Sequence, residues 1–348
     1  MSDEIPFFSI LIPSYNRPDE LRRSISSIIL GSFKDYEIII SDDNSPKKDE
    51  IETVVKSFGS AEKIRFYQQA SNLKEPDNKN FLVNQARGKF NIVLADDDTF
   101  VKEALSYLYN YIAVEPKSDL YGFGYKIVDE HGRRLSDHRA SKSLNLKSNS
   151  SRLKLLEAGL LPMQLFHPAT FCCRAGLEKA LPYSSQVGIG EDLFFLFELI
   201  LNNYSITVAP KTLLNWRKVQ DIASVKQGNQ SAEYLASFKS KLLIYELLLS
   251  YSEAPQWIAK NIRTLDYRFK FLYVELLRNT ALIHLTPQEL NVEMDKEFAF
   301  IKASYFWRLK FALVRLNRFF DLVSLLGLSQ AFSILIRTFW NRKRPSWK

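Results

Sequence analysis

Along the first hundred residues, short apolar runs alternate with stretches of helical period, the pattern of parallel strands joined by crossover helices. Phe8 to Ile12 is predicted as the first strand, closed by Pro13. Arg17-Pro18-Asp19 opens a helix through about Leu30 that turns Ile25, Ile28 and Ile29 toward the sheet. Tyr36 to Ile40 reads as strand two, and its unbroken Ile38-Ile39-Ile40 suits a strand buried on both faces. A helix over Ile51 to Phe58, a strand over Ile64 to Tyr67, a helix over Asn80 to Ala86 ended by Gly88, and a fourth strand over Phe90 to Leu94 follow. The expected fold class is α/β, Rossmann-like and doubly wound, with a mostly parallel sheet flanked by helices.

In open parallel sheets, ligands bind beyond the carboxyl ends of the strands. Three such ends carry unusual polar residues: Pro13-Ser14-Tyr15-Asn16, Asp42-Asp43-Asn44 and Asp96-Asp97-Asp98. One cleft could collect them all. Past a helix over Ala104 to Val114 the pattern loosens, and Ser141 to Ser151 is a polar stretch that reads as a loop over the site. From about Ser231 onward the apolar spacing is helical, as in Leu242 to Leu249 and Phe271 to Leu277. Residues 1–230 are therefore expected to form one catalytic domain, with a nucleotide half over about 1–100 and an acceptor half over about 101–230. Residues 231–348 form a helical C-terminal region.

Charge changes the picture only at that end. The chain has 348 residues and a formal charge of +8, yet residues 301–348 hold ten basic residues against the single acid Asp321, a net +9. The first 300 residues are left at −1, so the body needs no polyanion to explain it. The tail interleaves arginines with Phe306, Trp307, Phe311, Phe319, Phe332, Phe339 and Trp340. Such a segment can lie in a membrane interface, with aromatics at headgroup depth and arginines on anionic lipid. The same helices could instead pack on protein or join a homo-oligomer. Ala331 to Ile336 is too short to span a bilayer alone. A nucleic-acid role is disfavoured, because the basic residues sit among large apolar ones rather than in a polar groove. The opening MSDEIPFF has acids where a signal peptide needs positive charge, and Cys172 and Cys173 are adjacent, so they would point to opposite faces of an extended segment. A reducing cytoplasmic setting, peripheral at the inner face of the membrane, is the expectation.

Three consecutive acids after an apolar strand repel one another unless a cation offsets them. Asp96 and Asp98 share a face of an extended segment, so they could hold a hard divalent cation, Mg2+ or Mn2+, that bridges a diphosphate. A solvated acidic turn is the alternative. Asp42-Asp43-Asn44-Ser45 could be turn chemistry or base recognition, with a carboxylate on the imide of a uracil, Tyr15 offering a ring face and Pro13 a carbonyl. Glu191-Asp192 opens a helix entering the core; it could be a cap, or a general base for an acceptor hydroxyl.

Four features, in order and spacing, resemble a family 2 glycosyltransferase with the GT-A fold. They are Ser9-Ile10-Leu11-Ile12-Pro13-Ser14-Tyr15-Asn16-Arg17, Ile40-Ser41-Asp42-Asp43-Asn44-Ser45, the run from Asn84 to Asp98, and Gly190-Glu191-Asp192. The similarity covers roughly the first 225 residues. The resemblance implies that Pro13, Tyr15, Asn16 and Arg17 line a nucleotide-sugar pocket with Asp42, Asp43, Asp96, Asp97 and Arg217. It implies further that Asp43 contacts the base, that Asp96 and Asp98 form the DxD element with Asp98 the direct metal ligand, and that Asp192 is the base with Glu191 its rival. Such enzymes invert the anomeric centre. Many relatives carry an Arg followed by a nearby His beyond the last helix; Asn215-Trp216-Arg217-Lys218-Val219-Gln220 keeps the Arg and lacks the His, so an imidazole metal ligand is not expected there. His167 is the histidine assigned to an acceptor site, against a structural role.

The expected reaction moves one sugar from a nucleotide-sugar, by default a UDP-sugar, to a glycan or lipid-linked glycan of a bacterial-type surface polysaccharide. A sugar nucleotidyltransferase should show a Gly-rich phosphate loop after strand one, where Pro13 to Arg17 has no glycine. A non-catalytic membrane or glycan-binding relative should have lost Asp96, Asp98 or Asp192.

Overall fold

The computed structural model describes residues 4–59, 63–114, 117–138, 144–145, 171–187 and 190–217. They belong to a compact unit made of Met1–Asn229 and Ala236–Phe269. His167, Lys218, most of the 141–151 loop and the whole helical region from 231, including the basic tail, lie outside the described residues.

The first half follows the sequence closely. Strands β1 (Phe8–Ser14), β2 (Tyr36–Asp42), β3 (Ile64–Gln68) and β4 (Phe90–Val93) are all parallel, in the order β3-β2-β1-β4. Ile10, Leu11, Ile12, Ile38, Ile39 and Ile40 are fully buried because β1 and β2 are covered on both faces. Helix α1 (Pro18–Ile29) starts with Pro18, whose missing N–H is no loss in a first turn, and with Asp19 and Glu20, which suit the positive end of the helix. Its buried stripe of Leu21, Ile25 and Ile28 recurs at three- and four-residue intervals, and each such side chain contributes about 1.5–3 kcal/mol by leaving water. Helices α2 (Lys48–Lys56) and α3 (Glu75–Gln85) complete this half.

Two boundaries differ from expectation. Strand β1 runs through Pro13 to Ser14, and α3 begins at Glu75, five residues before the predicted Asn80. Pro76 is what the expectation overlooked: it sits in the first turn, where proline starts a helix rather than breaking one. Nor does Gly88 end α3. The helix stops at Gln85, and Gly88 is required elsewhere, since a Cβ there would meet the Ser9 nitrogen at 2.6 Å. Close approach lets the Gly88 N–H reach Ser9 Oγ at 2.7 Å, while Ser9 Oγ donates to Glu37 Oε1 at 2.6 Å.

The second half adds antiparallel strands to the parallel ladder. After β5 (Thr99–Phe100) and helix α4 (Ala104–Val114), strand β6 (Leu120–Val128) is separated from β4 by β9 (Phe171–Arg174), which is antiparallel to both. Hairpin partner β7 (Arg134–His138) and the two-residue β8 (Leu144–Asn145) join antiparallel, β8 against β10 (Ile206–Arg217). Strand β10 runs parallel to β6 but antiparallel to β5. Among the described residues, four strand pairs are parallel and five antiparallel. Short β9 carries Cys172 and Cys173 into the core as free thiols, whose pKa values burial pushes well up. Helices α5 (Leu177–Ala180) and α6 (Glu191–Leu201) precede β10.

Candidate active site

Because β1, β2 and β4 are parallel and in register, with Ser14 opposite Asp42 and Leu11 opposite Val93, their carboxyl ends open on one edge. The chain leaves β1 through Tyr15 and Asn16, and Asn16 adopts φ 61°, a left-handed conformation that asparagine tolerates. Its N–H donates to Ser45 Oγ at 2.7 Å, while the Tyr15 N–H donates to Asp96 Oδ2 at 3.2 Å. Tyr15 keeps 47% of its surface exposed beside this edge.

The acidic triplet sits on a tight turn after β4. The Arg17 guanidinium lies 3.0 Å from Asp96 Oδ1 and 3.0 Å from Asp97 Oδ2, so it is the triplet's built-in counter-cation. The Asp98 Oδ1 accepts the Arg217 backbone N–H at 3.0 Å. Asp96 and Asp98 are both buried. Burial pushes Asp96 up to about 7, with Arg17 pulling it down and Asp97 pushing it up. Burial, then the neighbouring Asp97, drives Asp98 well above the carboxylate range. Once ionised, the three carboxylates carry more negative charge than Arg17 offsets, and their hard oxygens suit a divalent cation. Among the described residues, no cluster of three or more His, Cys, Asp and Glu side chains is arranged to hold a metal by itself. Asp96 and Asp98 would supply only part of the oxygen ligands that such an ion takes.

Other expected residues are placed differently. Asp42 is fully buried, and its carboxylate accepts the Ser45 hydroxyl and, at 3.3 Å, the Ser45 N–H. That is turn chemistry, and it leaves Asp42 no surface for a ligand. Asp43 accepts the N–H groups of Leu73 at 2.6 Å and Lys74 at 3.1 Å, which ties the loop before α3 to the end of β2. Lys74 is held there at φ 74° and ψ 161°, a region almost reserved for glycine. The Arg217 side chain reaches the Glu130 carbonyl at 2.5 Å, so this residue meets the triplet through its backbone.

Glu191 and Asp192 open α6 after Gly190, whose φ of 135° favours glycine. Both carboxylates converge on a residue the sequence reading missed. Lys79 Nζ lies 2.7 Å from Glu191 Oε1, 3.0 Å from Asp192 Oδ1 and 2.9 Å from Glu75 Oε1. The Glu75–Lys79 spacing of four residues was the available signal, hidden because α3 was expected to start later. Glu191 also accepts the Gly190 N–H at 3.1 Å and is buried, whereas the Asp192 side chain keeps 20% of its surface exposed. Burial raises the pKa of both carboxyls, against the lowering pull of Lys79.

With this geometry in hand, the comparisons are decisive about kinship. The family model for glycosyl transferase family 2 matches residues 9–181. The chain belongs to glycosyltransferase family 2. An uncharacterised glycosyltransferase of Methanocaldococcus jannaschii is 26% identical over 214 residues, 61% of this chain and 71% of the relative. The GalNAc(5)-diNAcBac-PP-undecaprenol beta-1,3-glucosyltransferase of Campylobacter jejuni is 33% identical over 158 residues, 44% of this chain and 48% of that one. This chain thus spans about half the length of the Campylobacter relative.

Solved structures agree on the fold. Staphylococcus aureus TarS residues 1–349 superpose with a TM-score of 0.64 at 18% identity, covering 88% of each chain. The same protein in complex with UDP-GlcNAc gives 0.56 at 17% identity, over 88% of this chain and 79% of that one. A mannosyltransferase from Pyrobaculum calidifontis in complex with GDP-Man and Mn2+ gives 0.54 at 12%, over 90% and 85%. The family match stops before Glu191-Asp192, so that pair rests on its geometry and its motif.

Proposed function

We propose that this glycosyltransferase moves a single sugar from a nucleotide-sugar, with a UDP-sugar as the first candidate, to a hydroxyl of a glycan or lipid-linked glycan, inverting the anomeric centre. The observation that carries the reading is the position of Glu75. Its carboxylate bonds Lys79, which holds Glu191 and Asp192, and its charge is felt by Arg17, which holds Asp96 and Asp97. A cluster suited to a metal-bound diphosphate and a cluster suited to proton removal therefore adjoin.

In this reading the exposed ring of Tyr15 stacks on the base and the Pro13 carbonyl faces it. Asp43 anchors the 73–74 loop that walls the pocket and uses its remaining lone pairs on the base. Asn16 fixes the turn through Ser45, and Arg17 is at hand for phosphate. Asp98, with Asp96, would hold Mg2+ or Mn2+, which when bound neutralises the charge of the departing nucleoside diphosphate. Asp192 is the base: its carboxylate reaches the surface, while Glu191 is spent on Lys79 and on capping Gly190. Arg217 supports Asp98 through its N–H.

The donor reading draws on the UDP-GlcNAc complex of the Staphylococcus neighbour, and the acceptor reading on the undecaprenol-linked glycan named for the Campylobacter relative. A membrane-bound acceptor also accounts for the basic, aromatic composition of residues 301–348. Among the described residues no helix is long and apolar enough to cross a membrane. The deciding experiment is calorimetric titration of UDP, CDP, GDP and dTDP, with and without Mn2+, into the wild-type protein and Asp98→Ala. Mn2+-dependent binding of one nucleotide, lost in the variant, is the expected outcome. Failure of every nucleotide to bind would overturn the donor site.

A further inference from the structure

We propose that Lys79 is a positioning residue for the reaction: from α3 it clamps the head of α6, aims Asp192 and keeps that carboxylate ionised. The inference deepens the proposed function and rests on Asp192 being the base. An ammonium group has three N–H donors, and three carboxylates, those of Glu75, Glu191 and Asp192, lie at 2.9, 2.7 and 3.0 Å from Lys79 Nζ. The lysine is 2% exposed and its nitrogen stands 5.5 Å from the centre of the Tyr183 ring. Burying a lysine this deeply is costly unless it is paired, and here two of its partners lie 112 and 113 residues away in sequence.

The arrangement has a chemical consequence. During transfer the acceptor oxygen forms a bond to the anomeric carbon, the bond from that carbon to the diphosphate oxygen breaks with its electron pair, and the acceptor proton passes to Asp192. Only an ionised carboxylate can take it. Yet burial first, and then Glu75 on α3, disfavour the charge on Asp192, and that charge in turn raises Glu191 on its own helix and Glu178 beyond Tyr183. Lys79 is the cation in direct contact with it among the described residues. Glu178 is itself buried and satisfied, accepting from Asn91 Nδ2 at 2.8 Å and from the Tyr183 hydroxyl at 2.9 Å. That holds the Tyr183 ring in place beside Lys79.

The test does not need the natural substrate. In protein labelled with 13C at the aspartate carboxyl, the resonance absent from Asp192→Asn assigns Asp192, and its pH titration is followed in three further variants. In Lys79→Met the midpoint should rise by at least one pH unit; Lys79→Arg should restore most of it. Glu75→Gln, which removes a competing negative charge at a side chain 66% exposed, should move the midpoint down and keeps the test decisive if Lys79→Met does not fold. UDP release from UDP-GlcNAc in water, measured against pH, should shift its acidic limb in parallel. An unmoved Asp192 midpoint in Lys79→Met and Glu75→Gln alike overturns the role of Lys79. Full turnover in Asp192→Asn would instead sink the base assignment, so the two failures are distinguishable.

Discussion

Asp98 accepts the backbone N–H of Arg217 at 3.0 Å, a contact that closes 119 residues of chain. Antiparallel pairing of Thr99 with Asn215 puts the two there, so the sheet itself aims the last acid of the triplet. One N–H does not compensate a buried carboxylate flanked by Asp97 and Asp96, and the pKa of Asp98 stands well above its ordinary range. A raised folded pKa means that ionisation costs stability as pH climbs out of the carboxylate range. Asp98→Asn is therefore expected to stabilise the ligand-free protein at pH 8 by about 1–3 kcal/mol and to have little effect at pH 4. The same variant should lose Mn2+-dependent nucleotide binding. Thermal melts at the two pH values, paired with calorimetry, check both halves.

Asp96 gives the pH dependence of binding. Its folded pKa is about 7, raised first by burial and held down by Arg17. Its contribution to stability is full below about pH 4 and is lost as pH rises through 7. A cation needs the deprotonated form, so Mn2+–UDP affinity should tighten between pH 6 and 8 with release of a proton. Arg17→Ala removes the lowering influence and should move that window to higher pH. Calorimetry in two buffers of different ionisation enthalpy counts the released protons; a count that does not change across this range would contradict the assignment.

The collection of three polar strand ends on one edge was legible because β1, β2 and β4 are apolar and joined by crossovers, which makes them parallel. The contacts that finish the site were not. Strand β9 is four residues, Phe171–Arg174, and nothing in its period says that it inserts antiparallel between β4 and β6. Lys79 lies one residue before the helix start predicted at Asn80 and drew no reading, whereas its three carboxylate partners come from positions 75, 191 and 192. Asp42 and Asp43 are identical neighbours in sequence, and only the geometry separates the turn brace from the loop tether. Pattern reads an element's buried face; it does not name the partner on the other side.

Lys74 is a point of stored strain. It adopts φ 74° and ψ 161° so that its N–H, and that of Leu73, can reach Asp43. A side chain held in this region costs about 1–3 kcal/mol, and glycine escapes most of it. Lys74→Gly should accordingly raise stability by about 1 kcal/mol, although glycine's greater unfolded entropy offsets part of the gain. Asp43→Asn should do the opposite, and should also weaken nucleotide binding by loosening the loop. Denaturant midpoints of the two variants decide between strain and a harmless outlier.

The tail supports a separate prediction from composition. If residues 301–348 bring the enzyme to an anionic surface, deleting 304–348 should lower pelleting with phosphatidylglycerol-containing vesicles severalfold while leaving nucleotide affinity unchanged. Wild-type pelleting should also fall between 0.05 and about 0.5 M salt, because arginine–lipid attraction is screened within a Debye length. Equal pelleting with and without the tail would assign residues 304–348 to protein packing instead.

Glu191 and Asp192 are adjacent acids with the same cation, and exposure is what separates them. The Glu191 side chain is 6% exposed, bonded to Lys79 at 2.7 Å and to the Gly190 N–H at 3.1 Å, so both its oxygens have structural partners. Asp192 is 20% exposed and bonds Lys79 through one oxygen at 3.0 Å, which among the described residues leaves the other available to a hydroxyl. Asp192→Asn is isosteric and cannot accept a proton, so it should cut turnover by about 10²–10⁴-fold and leave the nucleotide Kd within threefold. Glu191→Gln should instead lower the melting temperature and reduce turnover less, because it loosens the helix start without removing the base. If Glu191→Gln alone abolishes turnover at unchanged stability, the proton goes to Glu191 and Asp192 becomes the residue that orients it.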